Sequence, residues 1–138
     1  MPMIKIKRVY EKADVRDGVR ILVDRMWPRG VRRSTPNIDI WMRDVAPTDE
    51  LRKWFNHDPR KWLSFKKKYK MELHGGKTFE ELAEFCARND PVTLLYATKD
   101  IKHNNAVVLI SELDREVKKL KKKLPRVRTI PNASASLY

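Results

Sequence analysis

The sequence predicts an α/β fold: a single domain whose small, mainly parallel sheet of about three core strands is flanked by helices in a three-layer-like arrangement. Three observations predict it. Ile21-Leu22-Val23 and the run from Val92 to Ala97 are apolar almost throughout, the mark of strands covered on both faces. The segments between them and after them carry apolar residues three and four apart, and strands that alternate with helices favour a parallel sheet. The chain, 138 residues long and 41% hydrophobic, supplies enough apolar material for one core without cross-links.

Met3 to Tyr10 alternates Ile4, Ile6 and Arg8 against Lys5, Lys7 and Val9, which reads as the first strand. A polar connection ending at Gly18 leads into the second, Val19 to Asp24. That connection is short and leaves the relative direction of the two strands open. Pro36 to Asp44 places Ile38, Trp41 and Val45 at helical spacing, and Pro47 ends the segment. Thr48 then offers an N-cap, with Asp49 and Glu50 in a first turn where the helix dipole favours negative charge. Asp58 followed by Pro59 signals another helix, which presents Trp62, Phe65, Tyr69 and Leu73 and stops at Gly75-Gly76. Thr78 to Glu81 matches a capping box ahead of Phe79, Leu82, Ala83 and Cys86. Pro91 opens the third strand, Val92 to Ala97. A last amphipathic helix spans about Asn104 to Lys123, with Leu124 closing its apolar spacing. The domain is expected over residues 1–128, with 129–138 as a frayed tail.

Composition narrows the setting. Cys86 is the single cysteine, so no internal disulfide forms, and three histidines without paired spacing give no metal site. No apolar run has signal-peptide or membrane-spanning length, which predicts a cytoplasmic protein without a membrane partner. The formal charge of +13 suits polyanionic partners, and equally an ion-pair-rich, heat-adapted surface.

In open α/β sheets ligands settle beyond the carboxyl ends of the strands. The second strand delivers Asp24, Arg25 and Arg29 to that edge, and the third delivers Tyr96, Lys99 and Asp100 just before a helix opening with His103 and Asn104. Arginine forks beside a helix N-terminus suit a phosphate or carboxylate, with Asp24 or Asp100 as the candidate proton acceptor. The structural alternative is an Asp24–Arg25 ion pair at a strand end and Asp100 as a helix cap. No phosphate loop, dinucleotide fingerprint or nucleophile elbow is present. His57 reads as a turn residue, His74 as a helix-end group, Cys86 as a buried thiol, and the tryptophans as core.

A second surface fits DNA or RNA. Lys118, Lys119, Lys121, Lys122 and Lys123 crowd the end of the last helix, and Lys66-Lys67-Lys68 with Lys70 form another basic run. The alternative is a solvated helix face. For neither surface does the sequence select a cofactor or a reaction.

The stretch Arg20 to Gly30, RILVDRMWPRG, with Trp41, Ala46-Pro47, Leu51-Arg52, Trp54-Phe55 and His57-Asp58, resembles the YeaO-like family, domain of unknown function 488. Trp62, Phe65, Tyr69, Glu72-Leu73, Thr93 to Ala97, Asp100, Asn104 and Ala106 to Leu109 belong to the same pattern, which covers Lys5 to about Leu113. The resemblance implies an α/β domain in which the first strands run parallel. It implies no reaction, cofactor or catalytic residue. Thr48 and Thr98 depart mildly from the pattern, and the basic tail after Leu113 lies outside it.

Overall fold

The computed structural model describes residues 4–34 and 37–123. Its sheet consists of β1 (Ile4–Arg8), β2 (Val19–Leu22), β3 (Ile40–Trp41) and β4 (Val92–Tyr96), in the order β1-β4-β2-β3. Every neighbouring pair is parallel: Ile4 lies opposite Val92, Ile21 opposite Leu94, and Leu22 opposite Trp41. The direction left open by the short first connection is thereby resolved. β1 and β2 run parallel without touching, because β4 lies between them.

Four helices flank the sheet: α1 (Asp49–Phe55), α2 (Trp62–His74), α3 (Lys77–Arg88) and α4 (Asn105–Lys123). Alternation along β4 explains its uninterrupted apolar character. Val92, Leu94 and Tyr96 join Ile21, Tyr69, Leu82, Leu109 and Leu113 in the main core beneath the helices. Leu95 points the other way, into a smaller cluster with Leu22 and Val9, closed by Trp27, Ile38 and Trp41 from loop and edge segments. Helices, sheet and this aromatic cover make the layers.

The same outer face carries an ionic cluster. Asp17 and Arg20 are buried and bonded to each other, Lys7 Nζ reaches Asp17 at 3.0 Å, and Thr93 Oγ1 donates to the Asp17 carbonyl at 2.7 Å. Burial alone would raise the Asp17 carboxyl. The hydrogen bonds from Lys7, the Asp14 N–H and Arg20 outweigh it and hold the group below its usual value.

Two sequence expectations are corrected. The segment read as a helix over 36–44 is instead β3 followed by a single 3-10 turn at Arg43–Val45; Pro36 itself lies outside the described residues. The free edge of β2 decides the matter: Asp39 N–H donates to the Arg20 carbonyl and Met42 N–H to the Leu22 carbonyl, both at 2.9 Å. A spacing of three and four over nine residues was ambiguous, and Ile38, Ile40 and Trp41 suit a strand. The capping box at Thr78 is also not used. α3 begins at Lys77 with Gly76 as its cap residue, so Thr78 already lies inside the helix.

The remaining boundaries follow their signals. Thr48 accepts the Leu51 N–H at 3.2 Å, and Asp58 accepts the Arg60 N–H at 3.0 Å in a 3-10 turn leading into α2. Glu72 of α2 then grips Thr48 twice, at its N–H (3.0 Å) and its hydroxyl (2.7 Å), which fixes α1 against α2. Met3, Leu124 and the tail expected over 129–138 lie outside the described residues. No described helix is long and apolar enough to cross a membrane.

Candidate functional site

β2 and β4 end side by side, and their exits are tied together. Val23 N–H donates to the Leu95 carbonyl at 3.0 Å, and Ala97 N–H donates to Asp24 Oδ2 at 2.9 Å. Beyond these strand ends opens a cleft of about 890 Å³, walled by the chain leaving β2, by α1, and by the segment entering α4.

The wall from β2 is braced by tryptophans. Trp41 Nε1 donates to the Asp24 carbonyl at 2.8 Å, Trp27 Nε1 to the Val31 carbonyl at 2.6 Å, and the two indoles meet edge-on at 5.2 Å. Arg33 lies over both rings, with its guanidinium carbon 4.8 and 5.0 Å from their centroids. Such contacts contribute about 0.5–1 kcal/mol each at exposed sites and add to the indole hydrogen bonds that brace the loop.

Arg25 stands on this braced loop. Its Nε donates to the Pro47 carbonyl at 3.0 Å, and Nη2 donates to the Ala46 carbonyl at 3.4 Å. Both acceptors are neutral, and no carboxylate within 4 Å pairs with Arg25 among the described residues. The Asp24–Arg25 ion pair weighed from sequence is therefore not formed among them. Its Nε edge is thus occupied, while Nη1 has no protein acceptor among the described residues. Burial raises the Asp24 carboxyl above its usual value, opposed by the Ala97 N–H and the Asn105 amide.

The α4 side is ordered by Asp100, whose Oδ1 accepts the N–H groups of Lys102 (3.0 Å) and His103 (2.9 Å) while Oδ2 meets His103 Nδ1 at 3.0 Å. The His103 N–H bond contributes most to holding the Asp100 carboxyl below its usual value. The His103 ring packs edge-on against Trp62 at 5.2 Å and lines the cleft.

Of the residues expected at this edge, Asp24, Arg25, Arg29, His103 and Asn104 line the cleft. Asn104 is buried there with its amide committed, donating to the Asp100 carbonyl (2.8 Å) and accepting the Val107 N–H (3.0 Å). Tyr96, Lys99 and Asp100 do not line it. Tyr96 is buried in the main core, where burial and then Glu11 raise its phenol, and Lys99 is exposed. Arg52, Lys53, Asn56 and His57 of the α1 region line the cleft although no sequence signal pointed there. Their place depends on how α1 docks, and that depends on contacts such as Arg25 to Pro47, 22 residues apart.

The second basic surface is separate. Lys118, Lys119, Lys121, Lys122 and Lys123 are exposed at the end of α4, and none is paired with a carboxylate among the described residues. Earlier in α4, buried Glu112 gathers His74 (2.8 Å), Lys70 (3.8 Å) and Arg115 (3.9 Å), which brings part of the α2 lysine run beside α4. Among the described residues no group of three or more His, Cys, Asp or Glu side chains forms a metal-binding cluster.

Residues 3–135 match a family model described as the inactive DUF488-N3 subclade. The chain is 40% identical over 111 residues to the uncharacterised protein Rv3073c of Mycobacterium tuberculosis strain H37Rv, covering 80% of this chain and 93% of that protein. It is 39% identical over 106 residues to the uncharacterised protein YeaO of Escherichia coli K12, covering 77% and 92%. No solved structure matches it.

Proposed function

Because the chain belongs to the inactive DUF488-N3 subclade, we propose that it is a binding domain without turnover, holding a small phosphate- or carboxylate-bearing ligand in the cleft at the carboxyl edge of its sheet. One observation carries the reading. Arg25 is a cation held in place by two carbonyls, facing a cleft, with no protein anion assigned to it among the described residues. Holding it so removes much of the ordering cost of a long side chain on binding. Arg29 and Lys53 add positive charge around the same opening, where Arg52 is paired with Asp49 at 3.2 Å.

Binding without turnover accords with the state of two reactive side chains. Cys86, the one thiol, is buried in the core, where burial pushes it up to about 12. Both Asp100 oxygens are spent on its own loop and on His103, so Asp100 orders the wall of the cleft. A cytoplasmic setting agrees with the lone reduced cysteine.

The test is calorimetric titration of the protein with inorganic phosphate, ribose 5-phosphate and citrate at moderate salt, repeated on Arg25→Ala. At least one of these anions is expected to bind, and the variant to bind it ten- to a hundredfold more weakly. Equal affinity in both proteins would end the reading.

A second reading places DNA or RNA on the exposed lysines of α4, supported by their lack of acidic partners and by the proximity of Lys70 and Arg115. It predicts affinity that falls steeply with salt and a shallower slope when Lys118, Lys119 and Lys122 are changed to Gln. Binding that survives those changes would place any polyanion elsewhere.

A further inference from the structure

We propose that the turn Asn56-His57 is the selectivity element of the cleft, reading the ring of a nucleoside monophosphate whose phosphate is held by Arg25. The proposal rests on the anion-binding reading and names its ligand class.

α1 separates the two ends of the cleft. Arg25 grips the carbonyls of Ala46 and Pro47 just before the helix, while Asn56 and His57 follow its last residue, Phe55. Seven helical residues rise about 10 Å, so a ligand longer than a bare phosphate suits a cleft lined at both ends of the helix. A ligand that uses both ends needs a spacer and a second recognisable group.

The second end has unused recognition chemistry. Asn56 and His57 are both exposed and line the cleft, and neither side chain has a partner among the described residues. An asparagine amide offers a donor and an acceptor side by side, matching the edge of a nucleobase, and an imidazole adds a flat face and a further donor or acceptor. Trp27 and His103 supply more ring surface along the same cleft.

The backbone at this turn is unusual in the same place. Asn56 has φ of +44° and His57 φ of +56°, two consecutive left-handed residues. Asparagine and histidine are among the side chains that enter this region most often, and a glycine at position 57 would enter it at no steric cost.

The experiment measures binding of the four nucleoside 5′-monophosphates and of ribose 5-phosphate to the wild-type chain, to Asn56→Ala and to His57→Gly, together with melting temperatures without ligand. At least one monophosphate is expected to bind tenfold or more tightly than ribose 5-phosphate. Both variants should lose that advantage while keeping their affinity for ribose 5-phosphate, and His57→Gly should melt about 2–4 °C higher because the strain is relieved. Equal binding of ribose 5-phosphate and every nucleotide would overturn the inference and leave the anion site standing. A base preference that persists in both variants would overturn the role of this turn. If none of these phosphates binds, the anion-binding reading falls and takes the inference with it.

Discussion

A side-chain carbon built on Gly18 would lie 2.0 Å from the carbonyl oxygen of Pro91. The same carbonyl accepts the Val19 N–H at 3.2 Å, so the glycine sits where the start of β2 meets the start of β4. Its φ of +66° is itself a conformation that suits glycine. Gly18→Ala therefore joins left-handed strain to a collision with backbone, and a loss of about 2–4 kcal/mol is expected in urea unfolding. A loss below about 1 kcal/mol would mean that the two strand entrances yield freely.

Two buried carboxylates are expected to differ widely in what their removal costs. Asp17→Ala leaves Arg20, 5% exposed, without its charged partner, and should cost about 3–5 kcal/mol. Glu112 is equally buried, but its partners Lys70, His74 and Arg115 are 41, 51 and 65% exposed and turn to water when it is removed. Glu112→Leu should thus stay within about 1 kcal/mol of the wild type, since an apolar side chain there joins the core. Denaturant midpoints of the two variants decide between this and a uniform cost for buried charge.

Asp24 should make anion binding depend on pH. Its carboxyl is raised by burial, so the folded chain holds that proton more tightly than the unfolded chain does. The stability it contributes is greatest at low pH and is lost as pH rises from the usual carboxylate value through the raised one. An anion beside it favours the protonated form further, so affinity should also fall as pH rises through that window. Asp24→Asn keeps an acceptor for the Ala97 N–H, and is expected to flatten both dependences and to bind anions more tightly at neutral pH. Sulfate, which does not titrate in this range, is the suitable probe, and an unchanged slope in the variant would assign the proton to another group.

Arg25→Lys keeps the charge and discards the fork. An ammonium cannot bridge Ala46 and Pro47 with one edge while presenting another, so most of the affinity lost in Arg25→Ala should be lost here too. Titration calorimetry of the two variants side by side measures this. A lysine that restores wild-type affinity would show that only charge matters.

Cys86 should behave as core. Burial pushes its thiol up to about 12, and it packs among Leu82, Ala83 and Val117. Labelling by an aromatic disulfide reagent at pH 8 should be slower than in unfolded protein by the equilibrium constant for opening, and should become immediate in denaturant. Rapid labelling of the native chain would place the thiol in an accessible pocket.

What the sequence discloses here depends on how local each determinant is. The apolar runs of β2 and β4 and the caps at Thr48 and Asp58 are written in neighbouring residues, and so is the placing of Asp24 and Arg25 at a strand exit. β3 escaped because a two-residue strand exists only through its bonds to β2, and its apolar spacing fits a helix as well. Asn56 and His57 escaped for a related reason: their dipeptide reads correctly as a turn, but nothing near it says that the turn lines the same cleft as Arg25. The cluster of Lys7, Asp17 and Arg20 is similarly silent, since a charged residue within a strand betrays its burial only once the opposite strand is known.

The strand order also bears on how this chain is made. β4 stands between β1 and β2 but follows them by more than 70 residues, with Ile4 opposite Val92 and Val19 opposite Val92. As the polypeptide leaves the ribosome, β1 emerges with no strand beside it and β2 with only the two rungs of β3. The edges of both that β4 covers stay open until residue 96 has left the ribosome. Assembly must then wait on a late, long-range closure, which makes the C-terminal third of the molecule the part whose arrival completes the sheet.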